Sequence, residues 1–200
     1  MREQTCCFTG HRNIAASECP ALEKRLEEEI VHLIQQGVRY FGAGGARGFD
    51  TMAAEAVLRL REEYPDIRLI LVLPNRQQAL TWGEGDKMIY NDILRRADKV
   101  VYTTKPGERD CMLKRNRHLV DNSAICVCYW YNHRHGLYGG IREAIRAAHR
   151  EPCAEGCPVK RKISLTTPPK PAIIVREGGG ICGAGYIRTL HLFTGTRFPS

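Results

Sequence analysis

The sequence predicts a doubly wound α/β fold, a mainly parallel sheet with helices on both faces. Three observations carry that expectation. Apolar runs such as Arg68 to Leu73 do not alternate with polar residues, which suits strands covered on both sides. Amphipathic segments with helical periodicity separate those runs. Four glycines, Gly42, Gly44, Gly45 and Gly48, sit between a β-prone run and a helix-forming one, as at a strand-to-helix junction on a sheet edge.

In chain order, Thr5 to Gly10 reads as a buried first strand ending at Gly10, His11 and Arg12. A helix is expected over 20–36, with Leu22, Leu26, Ile30, Leu33 and Ile34 on one face and Gly37 just past its end. Val38 to Phe41 forms the second strand and feeds the glycine loop. The next helix starts at Thr51, turns Met52, Ala56, Val57 and Leu60 inward, and ends before Pro65. Arg68 to Leu73 is the third strand, stopped by Pro74. A loop carrying Asn75, Gln77, Gln78 and Trp82 leads to a helix from about Asp86 to Ala97, whose inward row at spacing four is Ile89, Ile93 and Ala97. Lys99 to Tyr102 is a fourth strand. Asp110 is placed to cap a helix running to about Asn122, Ala124 to Trp130 is a fifth strand, and Leu137 to His149 a further helix. Such alternation implies right-handed parallel crossovers and a Rossmann-like fold, in which ligands lie at the carboxyl ends of the strands.

Composition narrows the function. The 200 residues, 43% of them hydrophobic, suffice for one domain with a core. No apolar run approaches the roughly 20 residues of a membrane span, and Met1 to Thr5 leads straight into a strand with no room for a signal peptide. A cytoplasmic protein is expected. The net charge is +8, but residues beyond Glu151 supply +5 of it. The body is nearly balanced, which argues against nucleic acid as its partner. Cys6, Cys7, Cys126 and Cys128 lie in apolar runs and read as small core hydrophobes. Cys153 and Cys157 are the only local pair with ligand-like spacing, and no second pair follows, so no metal is expected.

Bare amides and the helix dipole at the glycine loop suit a phosphate or carboxylate; a tight turn that binds nothing is the alternative. Arg12 is suited to a phosphate contact, and His11 either donates to a ligand or closes the strand end. Arg47 clamps an anion or points to water. Asp50, in the first helical turn, favours the dipole or holds a ribose hydroxyl, a water or a cation. Trp82 offers a face for a base or packs as a lid. Arg115, Asn116 and Arg117 cannot all face one way. Asn116 shares a face with Met112, Leu119 and Ser123, and a buried Asn there needs a hydrogen-bond partner.

Taken together, Cys7-Phe-Thr-Gly-His-Arg12, Gly44-Gly-Ala-Arg-Gly-Phe-Asp50 with Ala53-Ala-Glu55, Leu73 and Pro74 with Gln78 and Trp82, and Cys111 through Asp121 with Ser123 resemble the YpsA-like proteins. These belong to the SLOG superfamily, with the DNA-processing protein DprA and the LOG cytokinin-activating hydrolases. The resemblance covers residue 5 to about 150. It implies a Rossmann-like domain for a nucleotide-derived ligand, NAD- or ADP-ribose-like, in proteins linked to cell division and stress responses.

The chain lacks the Pro-Gly-Gly-x-Gly-Thr-x-x-Glu motif of the hydrolases, and it has His135, Gly136 and Leu137 where YpsA-like proteins have Gly-Gly-Thr before the last helix. Gly136 keeps a backbone position for a phosphate; the threonine hydroxyl is lost.

The expected organisation is a nucleotide-ligand domain over 1–165 and a Pro/Gly-rich extension over 166–200, flexible or loosely docked, with a short strand-like run at Ala172 to Val175. The leading expectation is a sensor that binds a nucleotide-derived small molecule through Gly10, His11, Arg12, Gly42, Gly44, Gly45, Arg47, Gly48, Asp50, Gln78, Trp82, Asn116 and Gly136, and signals to a protein partner or within a homo-oligomer. A LOG-like N-glycosidic hydrolase using Asp50 or Glu55, and a DprA-like single-strand DNA binder, are the alternatives.

Overall fold

The computed structural model describes residues 1–130, 172–177 and 186–191. The parallel strands are β1 (Thr5–Gly10), β2 (Tyr40–Ala43), β3 (Arg68–Leu73), β4 (Lys99–Tyr102) and β5 (Ile125–Trp130), linked by α1 (Cys19–Gln35), α2 (Phe49–Leu60), α3 (Glu84–Arg96) and α4 (Cys111–Asp121). In the sheet they lie in the order β4-β3-β2-β1-β5. Beyond β5 the sheet continues with two antiparallel strands, β6 (Ala172–Glu177) and β7 (Tyr186–His191). The mainly parallel α/β architecture is therefore the one expected. The sheet runs past the boundary drawn at residue 165, and β6 begins at the strand-like run at Ala172. Gly136 and the helix over 137–149 fall outside the described residues.

Side-chain alternation divides the core between the two faces. Cys6 and Phe8 join Leu22, Leu26 and Ile30 of α1, Ala53 and Val57 of α2 and Tyr90 and Ile93 of α3 on one side. Cys7, Val72, Cys126 and Cys128 meet Leu119 and Val120 of α4 on the other. Successive strand residues point to opposite faces, so fully apolar strands satisfy both layers at once. From β1 to β4 each strand is added on the same side. The chain then returns through α4 to place β5 on the other flank of β1. The carboxyl ends of β1 and β5 thus form the point where strand order reverses, and α4 starts beside it.

Several boundaries and faces differ from expectation. β2 runs through Gly42 to Ala43, not from Val38 to Phe41, because its ladder with β1 and β3 extends to those residues. α2 starts at Phe49, two residues early: its first amide donates to the His11 carbonyl at 3.0 Å. In α3, Tyr90 and Ile93 are buried while Ile89 is 45% exposed, since the Tyr90 ring packs edge-on against Trp82 at 5.4 Å. Asp110 stands at the start of α4 in the left-handed region, φ 57°, with no side-chain cap hydrogen bond. The capping geometry needs an extended residue.

Candidate functional site

Three clefts meet at the carboxyl rim, and Arg12 borders all of them. The largest, about 480 Å³, lies between the end of β1, the loop after β2 and the first turns of α4; Gly10, Ala46, Asp50, Arg115 and Asn116 line it. The second, about 330 Å³, shares Arg12, Ala46, Cys111 and Met112 with the first and extends to Asn75, Gln78 and Trp82. The third, about 280 Å³, opens between α1, α2 and α3 and carries Glu55, Gly48 and Arg47.

The loop after β2 is built for tight packing. A Cβ on Gly44 would fall 1.1 Å from the Arg115 guanidinium and 2.6 Å from the Asp50 carboxylate. Gly45 and Gly48 have positive φ, 62° and 76°, and a Cβ on Gly48 would strike the Arg12 carbonyl at 2.3 Å. Glycine is required at each. Gln78 holds this loop from outside, its Nε2 donating to the Gly45 carbonyl at 2.6 Å and to that of Gly44 at 3.2 Å. The Thr51 hydroxyl donates to the Ala46 carbonyl at 2.9 Å. The loop's donors are partly engaged: the Ala46 amide reaches Asp50 Oδ2 at 3.5 Å, and the Phe49 amide serves His11.

Asp50 and Arg115 form a buried ion pair, Nη1 to Oδ2 at 3.2 Å, with both side chains 6% exposed. Burial pushes the Asp50 carboxyl above its usual range, and the Arg115 charge offsets only part of that. Arg115 Nε is buried without a partner, which is costly unless something else supplies an acceptor. Gln78 Oε1 is likewise buried and unpartnered, facing away from the two carbonyls its Nε2 serves.

The predicted residues are thus only partly brought together. Gly10, Arg12, Asp50 and Asn116 share the large cleft, while Arg47, Gln78 and Trp82 share the second with Arg12. Gly10 itself packs under the Phe49 ring, which leaves 2.7 Å for a Cβ. His11 is buried, its ring edge-on to Tyr129 at 6.0 Å. Gly42 lies inside β2, one step back from the rim, and leaves room for Leu119. Arg47 pairs with Asp86 at 3.1 Å and covers the Trp82 ring at 5.7 Å. Trp82 is therefore partly engaged by α3 and by Arg47, while still lining its cleft. Glu55 opens into the third cleft, away from Asp50; its burial raises its carboxyl too. Asn116 is half-buried, and Arg115 is the buried polar residue of α4.

Arg115 was missing from the predicted site. Its spacing from Met112 and Leu119, three back and four on, put it on the inward row, but a charged residue among apolar ones reads as solvated until a buried carboxylate is seen opposite it. Among the described residues no cluster of His, Cys, Asp and Glu could hold a metal ion, and no helix is long and apolar enough to cross a membrane.

A parallel sheet whose order reverses beside a polar cleft defines the class: a Rossmann-like α/β domain with a cleft on its carboxyl rim. Within that class, the family described as the YspA SLOG family, YpsA, matches residues 6–153, and the chain belongs to it. Relatives include a UPF0398 protein of Halalkalibacterium halodurans, 36% identical over 111 residues, covering 54% of this chain and 59% of the relative. The UPF0398 protein YpsA of Bacillus subtilis is 29% identical over 51% of this chain and 58% of its own length. The uncharacterized SPbeta prophage-derived protein YoqJ of Bacillus subtilis is 30% identical over 64% of this chain and 81% of its own. The match spans under two thirds of the first two relatives. Among solved structures, the DNA processing protein A of Helicobacter pylori, described for its single-stranded DNA binding mode, aligns with a TM-score of 0.48 at 16% identity, covering 74% of this chain and 61% of that one.

Proposed function

We propose that the chain is a binding domain for a nucleotide-derived small molecule, of the NAD or ADP-ribose kind, seated in the two joined clefts of the carboxyl rim. One observation supports this most strongly. The clefts share Arg12, Ala46, Cys111 and Met112, and their far ends differ in chemistry. One end has the Asp50–Arg115 pair and the bare start of α4; the other has the Trp82 ring and the Gln78 amide, whose Oε1 has no partner. An anion with its ribose suits the first end, and a base, stacked and read by an amide, suits the second. Calorimetric titration of the full chain with AMP, NAD and ADP-ribose tests the reading: saturable binding supports it, and no heat from any of the three at millimolar concentration refutes it.

A hydrolase reading has one observation in its favour. Asp50 is a buried carboxyl with a raised pKa, lying in the cleft, the state that general acid–base work on a glycosidic bond requires. Its pairing with Arg115 favours structural holding over proton transfer. Incubation with AMP or NAD decides between them: base or nicotinamide released by the wild type and not by Asp50→Asn would make the protein an enzyme.

A further inference from the structure

The anion expected on the glycine loop meets a loop already occupied. The Arg115 guanidinium lies where a Gly44 side chain would be, the Ala46 amide turns to Asp50, and the Phe49 amide is bonded to His11. Donors without acceptors lie instead across the cleft. α4 has 11 residues, and no side chain caps its start, because Asp110 adopts the left-handed conformation. The first turn of a helix leaves its amides unbonded and positive in potential. Cys111, Met112 and Leu113 of that turn line the large cleft. Arg115, one turn on, lines the same cleft. Its Nε is buried with no partner, whereas Nη1 is spent on Asp50.

We infer that the first turn of α4, with Arg115 Nε and Arg12, takes the phosphate or pyrophosphate group of a small molecule. This rests on the nucleotide reading above and specifies where the charged group sits. The Asp50 carboxylate does not oppose it, being matched by Arg115; the Asp110 carboxylate also lines the cleft, but it is exposed to solvent, where its charge is screened. The occupant is a small phosphate compound and not a polynucleotide, since the body carries little net positive charge.

Cys111 reports on the site directly, because it is the first residue of α4 and only partly buried. The full chain is alkylated with neutral iodoacetamide, and the rate at Cys111 is followed by mass spectrometry of its peptide. Inorganic pyrophosphate or ADP-ribose at ten times its dissociation constant should slow that rate about tenfold. Asn116→Asp, which adds a negative charge to the cleft with little change in size, should weaken affinity about tenfold, so that the same concentration slows alkylation only about twofold. Arg115→Lys, which keeps the charge and removes the Nε donor, should weaken it as well.

Unchanged protection in both variants overturns the subsite. So does ADP-ribose that binds calorimetrically yet leaves Cys111 unprotected, an outcome in which the nucleotide reading survives. If neither compound protects Cys111 or gives binding heat, both readings fall. Stronger protection by an oligothymidylate at equal phosphate concentration would overturn the small-molecule assignment.

Discussion

Arg115 and Asp50 set the chemistry of the rim, and each constrains the other. Moving a carboxylate out of water raises its pKa, and one guanidinium contact at 3.2 Å recovers only part of that cost. The sign follows from linkage. A carboxyl whose folded pKa lies above its unfolded one takes up a proton on folding, so its contribution to stability grows as pH falls between the two values and is lost as pH rises through the folded one. The stability of the wild type relative to Asp50→Asn should therefore increase from neutral pH into the acid range, read from urea midpoints. A difference that shrinks on acidification would mean an ordinary stabilising ion pair with a lowered pKa. Gly44 gives a second test. A methyl group there would displace the Arg115 guanidinium from beside Asp50, so Gly44→Ala should cost about 2 kcal/mol. By contrast Gly85, with nothing within 4 Å of an added Cβ, should accept alanine with a gain of about 0.5 kcal/mol. Equal effects at the two glycines would contradict the packing described for the loop.

At the level of elements, the periodicity of α1 placed Leu22, Leu26, Ile30, Leu33 and Ile34 on the buried face, and all five are buried. A helix covering a wide sheet has one apolar stripe, and spacing alone reveals it. α3 was harder to read, because two rows compete. The row through Ile89 and Ile93 looked better in the sequence, yet the helix turns so that Tyr90 and Ile93 face inward and Trp82 packs on the Tyr90 ring. The Trp82 contact, made from the loop just before the helix, goes with that rotation, and the helical spacing of the apolar rows does not encode it. Ile93→Ala should cost about 3 kcal/mol, whereas Ile89→Ser should change stability by less than about 0.5 kcal/mol, both measured by denaturant unfolding. A larger loss at Ile89 would show that the exposed face of α3 is covered by something else. For the same reason the glycine loop could be located but not read. Its position after β2 was legible; that a guanidinium from α4, some 70 residues on in sequence, occupies it was not.

The whole molecule follows from strand order. Because β5 lies on the opposite flank of β1 from β2, the loops after β1 and β2 and the start of α4 converge on one rim, and Arg12 stands where their clefts meet. Alternating strands and helices made that architecture legible; of the antiparallel strands, β6 showed only as the short strand-like run at Ala172 to Val175 and β7 did not show, since the Pro/Gly-rich composition around them masks six-residue strands. The match to the YpsA-type SLOG family, over residues 6–153, includes every element that builds this rim. Thermal unfolding of the full chain with AMP, NAD or ADP-ribose tests that account most directly. A compound present at 100 times its dissociation constant should stabilise the fold by about 2.7 kcal/mol, a rise of several degrees that Asn116→Asp diminishes. Melting curves that superimpose with and without all three compounds at millimolar concentration would contradict it.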